Sequence, residues 1–302
     1  MELRTILAGV DFSENSESAL GYGLRLATRF SSRLVVFHAL DPLLATTAAI
    51  HAFDLERQTR DELQEIVNRA QAAAGSAVSA KPMVVRGDAA TEISALARRQ
   101  RVDLIVIGTH GLSGYRKAFF GSTAEKVLRQ ATRPVLTIPP SAPPPPSGNR
   151  PFADGPVLIA VDFSEGSEFA VHEGLALAAR LNLPVVLAHV VEPPALPQRW
   201  LGHVAAPHDE QVSRARRELE HLAAAARSSS ATIATTVVEG RAPQALVDLA
   251  TEREVSLIVL GLIGATKRPR YRPGTTAYRT ISLAQTPVLA VPAAKRQRDA
   301  KP

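Results

Sequence analysis

The amino-acid sequence predicts an α/β fold with two tandem doubly wound domains, each a five-stranded parallel sheet with helices on both faces. Three observations lead to this prediction. Short, almost wholly apolar runs alternate with longer amphipathic stretches, as expected when helices cover both faces of a parallel sheet. The same order of segments occurs twice in the 302 residues. Between the copies lies PPSAPPPPSGNRP at 139–151, whose prolines favour a stiff, extended linker.

The repeat is visible in three pairs of matching segments, each containing a strand-like run. They are TILAGVDFSENSESAL (5–20) with PVLIAVDFSEGSEFAV (156–171), VDLIVIGTHG (102–111) with VSLIVLGLIG (255–264), and TRPVLTIPP (132–140) with TPVLAVPA (286–293). The offset is 151 residues in the first pair and 153 in the other two. A near-constant offset indicates a tandem duplication. We therefore expect domain 1 at 1–140, the linker at 141–151, domain 2 at 152–294 and a basic tail at 295–302.

Each half contains five strand-like runs separated by helical patterns. In the first half the strands are predicted at 5–10, 33–38, 82–86, 102–107 and 134–138, with helices at 16–30, 54–74, 89–99 and 122–131. In the second half the strands are predicted at 156–161, 184–191, 232–238, 255–260 and 287–291. Crossovers between parallel strands are right-handed, so this order predicts an open, doubly wound sheet.

The last strand of each half is predicted to lie at a sheet edge. Val135–Ile138 and Val288–Val291 are both followed by proline, which central strands do not accept. Pairing the two edges would cover backbone that otherwise invites aggregation. We expect the halves to form an intramolecular pseudo-dimer through these strands, and a further homodimer of the whole chain stays open.

A glycine pattern follows the fourth strand of both halves. The first copy reads Gly108-x-x-Gly111, nine residues, then Gly121-Ser122, and the second repeats this spacing from Gly261 to Thr275. Glycine lets the backbone approach a ligand closely, and the N-terminus of the following helix favours an anion. A mere connector would be expected to vary in length, so the shared spacing predicts a polyphosphate cradle.

Asp11 and Asp162 follow the first strand of each half. They could cap the next turn together with Ser13 and Ser164. However, ligands of open parallel sheets bind at the carboxyl ends of the strands, where the strand order reverses. This position favours a ligand role for both aspartates.

Composition argues against several other classes of function. There is no cysteine, so disulfides and thiolate metal sites are excluded, and His203, His208 and Asp209 do not have metal-ligand spacing. The net charge of +6 is not gathered on a basic face with aromatics, so a nucleic-acid partner is not expected. Without a leader or a spanning apolar run, we expect a cytoplasmic location and no membrane partner. The sequence G-x-x-x-x-G-K-[ST] of P-loop hydrolases is also absent.

VDFS after the first strand, combined with the glycine pattern after the fourth, resembles the universal stress protein family over nearly the whole chain. The resemblance implies a Rossmann-like fold and ATP binding, with any Mg²⁺ arriving on the phosphates. It implies that Asp11 meets the ribose or base and that the chain at Phe37, His38, Ala39 and Leu40 lines the adenine. It implies phosphate contacts from Gly108, Gly111, Gly121, Ser122 and Thr123, and it includes His110, which many ATP-binding members also have before the second glycine, among the nucleotide-binding residues. The matching residues of the second copy are Asp162, Gly261, Gly264, Gly274, Thr275 and Thr276.

The second copy departs from this pattern. Ile263 replaces His110, and the loop ATKRPRYRP carries four basic residues and two prolines, which remove backbone donors. We therefore expect weaker nucleotide binding in domain 2.

The resulting hypothesis is an ATP-binding, nucleotide-linked stress-response regulator. No positioned general base is visible, so at most slow ATP hydrolysis is expected. Two alternatives stay open. One is a protein-interaction module with vestigial nucleotide sites, and the other is a slow ATPase or adenylating enzyme of the related nucleotide-binding α/β group.

Overall fold

The computed structural model describes residues 1–50, 53–75, 77–111, 121–146, 150–193, 201–226, 232–264 and 275–293. The first half contains β1 Thr5–Gly9, α1 Glu14–Phe30, β2 Arg33–Leu40, α2 Pro42–Ile50, α3 Leu55–Ala74, β3 Ala80–Arg86, α4 Ala89–Arg99, β4 Leu104–Gly108, α5 Ser122–Gln130 and β5 Val135–Ile138. The second half contains β6 Val157–Ala160, α6 Glu165–Leu181, β7 Val185–Val191, α7 Leu201–Ala225, β8 Ile233–Glu239, α8 Ala242–Glu252, β9 Leu257–Gly261, α9 Thr275–Leu283 and β10 Val288–Val291.

The predicted α/β fold with two doubly wound halves is confirmed. Each half forms five parallel strands, in the order β3-β2-β1-β4-β5 and β8-β7-β6-β9-β10. The strand ends lie within two residues of the predicted ones. The strand order reverses between β1 and β4, and between β6 and β9. These two places are where ligand crevices of such sheets are expected.

Helix α2 is the element that the sequence pattern did not predict. Its sequence, PLLATTAAI, is apolar without the helical period that marks a one-sided face. Leu43 and Ile50 are exposed on it, whereas Ala45 is buried. Its start is set by Asp41, whose Oδ1 accepts a hydrogen bond from the Leu43 N–H at 2.7 Å. A local cap therefore defines this helix more than its apolar pattern does.

The two faces of the sheet bury separate apolar layers. Along β1, Ile6 and Ala8 pack on one side, with α1 and α3, while Leu7 packs on the other side, with α4 and α5. Successive residues of a strand point to opposite faces, so a strand covered on both sides must be apolar throughout. This accounts for the nearly continuous apolar runs in the sequence.

The last strands of the two halves lie side by side. β10 pairs antiparallel with β5, placing Val288 opposite Thr137 and Leu289 opposite Leu136. The Thr137 hydroxyl also donates to the Val288 carbonyl at 3.1 Å. The described strands therefore form one sheet of ten strands. No helix among the described residues combines the length and apolarity needed to cross a membrane.

Candidate functional site

A cavity of about 620 Å³ lies at the carboxyl ends of β1, β2 and β4, at the strand reversal of the first half. Its walls contain nearly all the residues predicted for the first site: Asp11, Phe37, His38, Ala39, Gly108, His110, Gly111, Gly121, Ser122 and Thr123. Leu40 is the exception, because its buried side chain does not line the cavity. The fold thus brings together residues that are more than 100 positions apart in the chain.

Other wall residues escaped the sequence reasoning. Asp41 and Leu44 come from the start of α2, and Ala89 and Ile93 from α4. A signal was present for Asp41, a polar residue directly after a predicted strand. Ala89 follows Gly87 and Asp88, which come after the next predicted strand, whereas Leu44 and Ile93 have no polar or glycine neighbour of this kind and are identified only by the packing of α2 and α4.

Asp11 takes part in a tight turn between β1 and α1. Its Oδ1 accepts hydrogen bonds from the Ser13 N–H at 3.1 Å and from the Ser13 hydroxyl at 2.5 Å. Its own N–H donates to the Ser16 hydroxyl at 3.1 Å. The other carboxylate oxygen, Oδ2, lies beside Gly111, at 2.4 Å from where a Cβ of that residue would be. Asp11 therefore holds the turn, as the first alternative predicted, and its second carboxylate oxygen faces the glycine loop; its ligand role stays a prediction.

An aromatic residue in a left-handed conformation follows this aspartate in both halves. Phe12 has φ of 64° and Phe163 has φ of 57°. A bulky residue in this region is unusual and costs about 1–3 kcal/mol, and such strain is typical of ligand sites. Each ring packs on a histidine of the next strand, Phe12 on His38 and Phe163 on His189, with ring centres 4.6 and 4.7 Å apart. The strained turn is thus a repeated part of the architecture.

His38 is held in one orientation by this arrangement. Its Nδ1 is 2.8 Å from the Val10 carbonyl oxygen, so Nδ1 is the protonated nitrogen and Nε2 carries the lone pair of the neutral ring. Burial lowers the pKa of His38 below its ordinary value of 6.5, although the Val10 carbonyl and the carboxylates of Asp11 and Glu62 oppose the shift. Burial likewise lowers the pKa of His110. Both rings of this cavity therefore favour the neutral form near pH 7.

The N-terminus of α5 forms the far wall. Its N-cap is Gly121, which has no side chain to occupy the first backbone donors. The first intrahelical bond runs from the Glu125 N–H to the Gly121 carbonyl, so the N–H groups of residues 122–124 precede the helical ladder. Ser122 and Thr123 are exposed there. This end can donate several hydrogen bonds to an anion.

Two backbone donors of this region are already used. The His110 N–H donates to the Asn15 side chain at 3.0 Å, and the Gly121 N–H donates to the Thr109 carbonyl at 2.8 Å. The His110 ring is hydrogen-bonded to the Thr109 hydroxyl at 2.9 Å. The residues between the two ends of the loop, 112–120, lie outside the described part of the chain. Within the described part, the loop backbone is therefore anchored at both of its ends.

The second half contains a smaller cavity of about 250 Å³ at the equivalent place. Of the predicted residues, Asp162, Gly261, Gly264 and Thr276 line it. Thr275 is the first residue of α9, whereas Gly274 and the rest of 265–274 lie outside the described residues. His189 and Glu192, which the sequence reasoning missed, line it as well. Glu192 Oε1 accepts a hydrogen bond from the Ala242 N–H at 2.9 Å, so a carboxylate already occupies the start of α8.

Among the described residues, no three histidine, aspartate or glutamate side chains come together as a group that could hold a metal ion.

The lowered pKa of His38 predicts a pH dependence of stability. Because the folded protein binds this proton less tightly than the unfolded chain, the free energy of unfolding should fall as the pH drops below about 6.5. This decline in the free energy of unfolding should end once the pH is below the pKa that His38 has in the folded protein. His38→Asn keeps an N–H donor for the Val10 carbonyl and does not titrate. We expect its unfolding free energy, measured by urea titration from pH 8 to pH 5, to decline less steeply than that of the parent. If the unfolding free energies of His38→Asn and of the parent fall by the same amount between pH 8 and pH 5, His38 is not responsible for the pH dependence.

Comparisons with known proteins agree with the two-fold repeat. The universal stress protein family profile matches residues 2–139 and again residues 155–292. A universal stress protein of Mycobacterium tuberculosis is 26% identical over 294 residues, covering 94% of this chain and 95% of that protein. One from Bacillus subtilis is 29% identical over 143 residues, covering 44% of this chain and 97% of its own. The crystal structure of a universal stress protein from Archaeoglobus fulgidus superposes with a TM-score of 0.68 at 20% identity, covering 97% of this chain and 100% of that one. Since the profile matches most of the sequence in two consecutive copies, this chain belongs to the universal stress protein family.

Proposed function

We propose that this protein binds ATP in the cavity of the first half and acts as a nucleotide-linked stress-response regulator. The observation that carries the proposal is the joint placement of Asp11, the glycine loop and the N-terminus of α5 around one cavity. Its volume of about 620 Å³ falls within the range of about 300–1,000 Å³ that small-molecule sites occupy. The helix N-terminus can donate hydrogen bonds to phosphates, and the carboxylate can accept them from ribose hydroxyls.

The chemistry of the walls suggests how ATP would be oriented. Phe37, His38 and Ala39 offer a largely apolar surface for the adenine, and Asp11 can accept hydrogen bonds from ribose hydroxyls. The phosphates would lie against Gly108, Gly111 and Gly121, near the hydroxyls of Ser122 and Thr123 and their N–H groups, which precede the first intrahelical bond. A Mg²⁺ ion would be carried by the phosphates, as is usual for this ion.

In the second half, nucleotide binding would be weaker. The cavity of about 250 Å³ is smaller than the usual range, and Glu192 occupies the start of α8 beside it. Asp162, Gly261, Gly264, Gly274, Thr275 and Thr276 are the residues that we assign to this weaker site.

The direct test is the ligand itself. In the first experiment, protein purified without added nucleotide is denatured, and the small molecules that it releases are identified by mass spectrometry. In the second, native protein stripped of any bound ligand is titrated with ATP by calorimetry. We expect ATP, bound at about one equivalent. An acyl-adenylate would favour the adenylating-enzyme alternative. Absence of both a released nucleotide and an ATP-binding heat would favour the interaction module.

We further propose that domain 1 (1–140) and domain 2 (152–294) form a pseudo-dimer within one chain. The β5–β10 pairing supports this, as does Tyr278 of α9, whose hydroxyl donates to the Glu125 carbonyl of α5 at 2.8 Å. Part of the linker is held on domain 1, because the Tyr22 hydroxyl donates to the Pro143 carbonyl at 2.6 Å.

Disulfide trapping tests the pairing, because the natural chain has no cysteine. Thr137→Cys combined with Val288→Cys places two thiols on facing residues of β5 and β10, whose Cβ atoms in such a ladder are about 4.5–5.5 Å apart. We expect oxidation of the native protein to give a cross-linked monomer with altered mobility on a non-reducing gel. The out-of-register control, Thr137→Cys with Ala290→Cys, should cross-link far less. A covalent dimer as the main product would instead mean that the strands pair between chains.

A further inference from the structure

Asn15, in the first turn of α1, connects two distant backbone segments. Its Nδ2 donates to the Ile138 carbonyl at the end of β5, at 3.0 Å, and its Oδ1 accepts from the His110 N–H of the glycine loop, at 3.0 Å. The side chain is buried, with 8% of the residue exposed. A buried amide with both ends hydrogen-bonded specifies position strongly, because either bond is costly to leave unmade.

Gly108 provides the space for this amide. A Cβ at Gly108 would lie 2.6 Å from Asn15 Oδ1, closer than real Cβ contacts allow. The first glycine of the loop therefore makes room for Asn15. This gives a second reason for the glycine at that position.

The second half lacks the amide, and its loop takes another path. The counterpart of Asn15 is Gly166, at the 151-residue offset of the repeat. The Ile263 carbonyl oxygen occupies the space of a side chain there, at 2.0 Å from where a Cβ of Gly166 would be. The loop backbone thus lies directly against α6. The adjoining cavity is about 250 Å³, against about 620 Å³ in the first half.

We propose that Asn15 is a positioning residue that determines which half accepts a polyphosphate. Its side chain lies between α1 and the loop after β4 and is hydrogen-bonded to that loop. It thereby keeps the loop at a fixed distance from α1 and preserves the space for the phosphates. The glycine at 166 lets the corresponding loop close onto α6 and narrows the second site. The inference rests on the proposed ATP binding and adds the residue that makes the two halves unequal.

The test compares Asn15→Ala and Asn15→Gly in the full chain, by calorimetry with ATP and with AMP. Alanine removes both hydrogen bonds and favours the helix more than asparagine does, so a loss of binding cannot come from a weaker helix; glycine reproduces the residue of the second half. We expect both variants to bind ATP at least tenfold more weakly, and AMP less than threefold more weakly, because the loop serves the outer phosphates. If Asn15 only stabilised the fold, its replacement would weaken the binding of ATP and of AMP by the same factor.

Ser32→Ala is the matched control. It also removes a buried hydrogen bond of domain 1, from the Ser32 hydroxyl to the Leu3 carbonyl at 2.6 Å, but at the opposite end of β1. We expect its ATP and AMP affinities to equal those of the parent. Unchanged ATP affinity in the Asn15 variants, or an equal loss for ATP and AMP, would overturn the inference while leaving ATP binding intact. A parent protein that binds no ATP would instead refute the proposed function.

Discussion

Gly121→Val is expected to weaken ATP binding at least a hundredfold while leaving the overall fold in place. A Cβ at this position would lie 2.9 Å from the Thr109 carbonyl oxygen, which also accepts the Gly121 N–H at 2.8 Å. Because the neighbour is backbone, it cannot move aside as a flexible side chain would. The Gly121 φ of −61° is ordinary for any residue, so the effect comes from lost space. We expect at least a hundredfold loss of ATP affinity by calorimetry, equal to about 2.7 kcal/mol.

Gly21→Ala is the control for this variant. Among the described residues, a Cβ at Gly21 would meet the Pro145 side chain alone, at an ordinary 3.8 Å. Alanine is also favoured over glycine in a helix, so the control should be at least as stable as the parent and bind ATP equally well. If Gly121→Val binds ATP as tightly as the parent, the glycine loop is not the phosphate site.

Leu136→Ala is expected to cause a large loss of stability. Leu136 is 1% exposed and lies opposite Leu289, where β5 meets β10. Truncating a buried leucine removes its burial and leaves a cavity, which typically costs about 2–5 kcal/mol. The loss should appear as a lower urea midpoint by circular dichroism.

Leu283→Ala is the matched comparison, because Leu283 lies near the end of α9 and is 45% exposed. Its effect should stay within about 0.5 kcal/mol. Equal midpoints for the two variants would show that the β5–β10 contact adds little to stability.

Pattern reasoning succeeded for the strands and the glycine positions for a physical reason. A strand buried on both faces must be apolar throughout, so a run of consecutive apolar residues is enough to recognise it in the sequence. The spacing of Gly108, Gly111 and Gly121 recurs in the second half, and this recurrence can also be seen in the sequence alone. It failed for α2, whose apolar residues have no period. It also could not show that the side chain of Leu40 points away from the cavity that its neighbours line.

The sequence by itself determined the fold class, the duplication and the strand ends that carry the candidate residues, because these follow from local apolar patterns and from offsets. Only the tertiary structure decided the contacts of Asn15, which joins His110 and Ile138, positions 95 and 123 residues away along the chain. It also decided the packing of Phe12 on His38 and the unequal cavities of the two halves. A side chain that bonds to backbone groups does not constrain which residue types supply them. Such contacts therefore leave no pattern in the sequence and arise only when the strands, helices and loops are assembled.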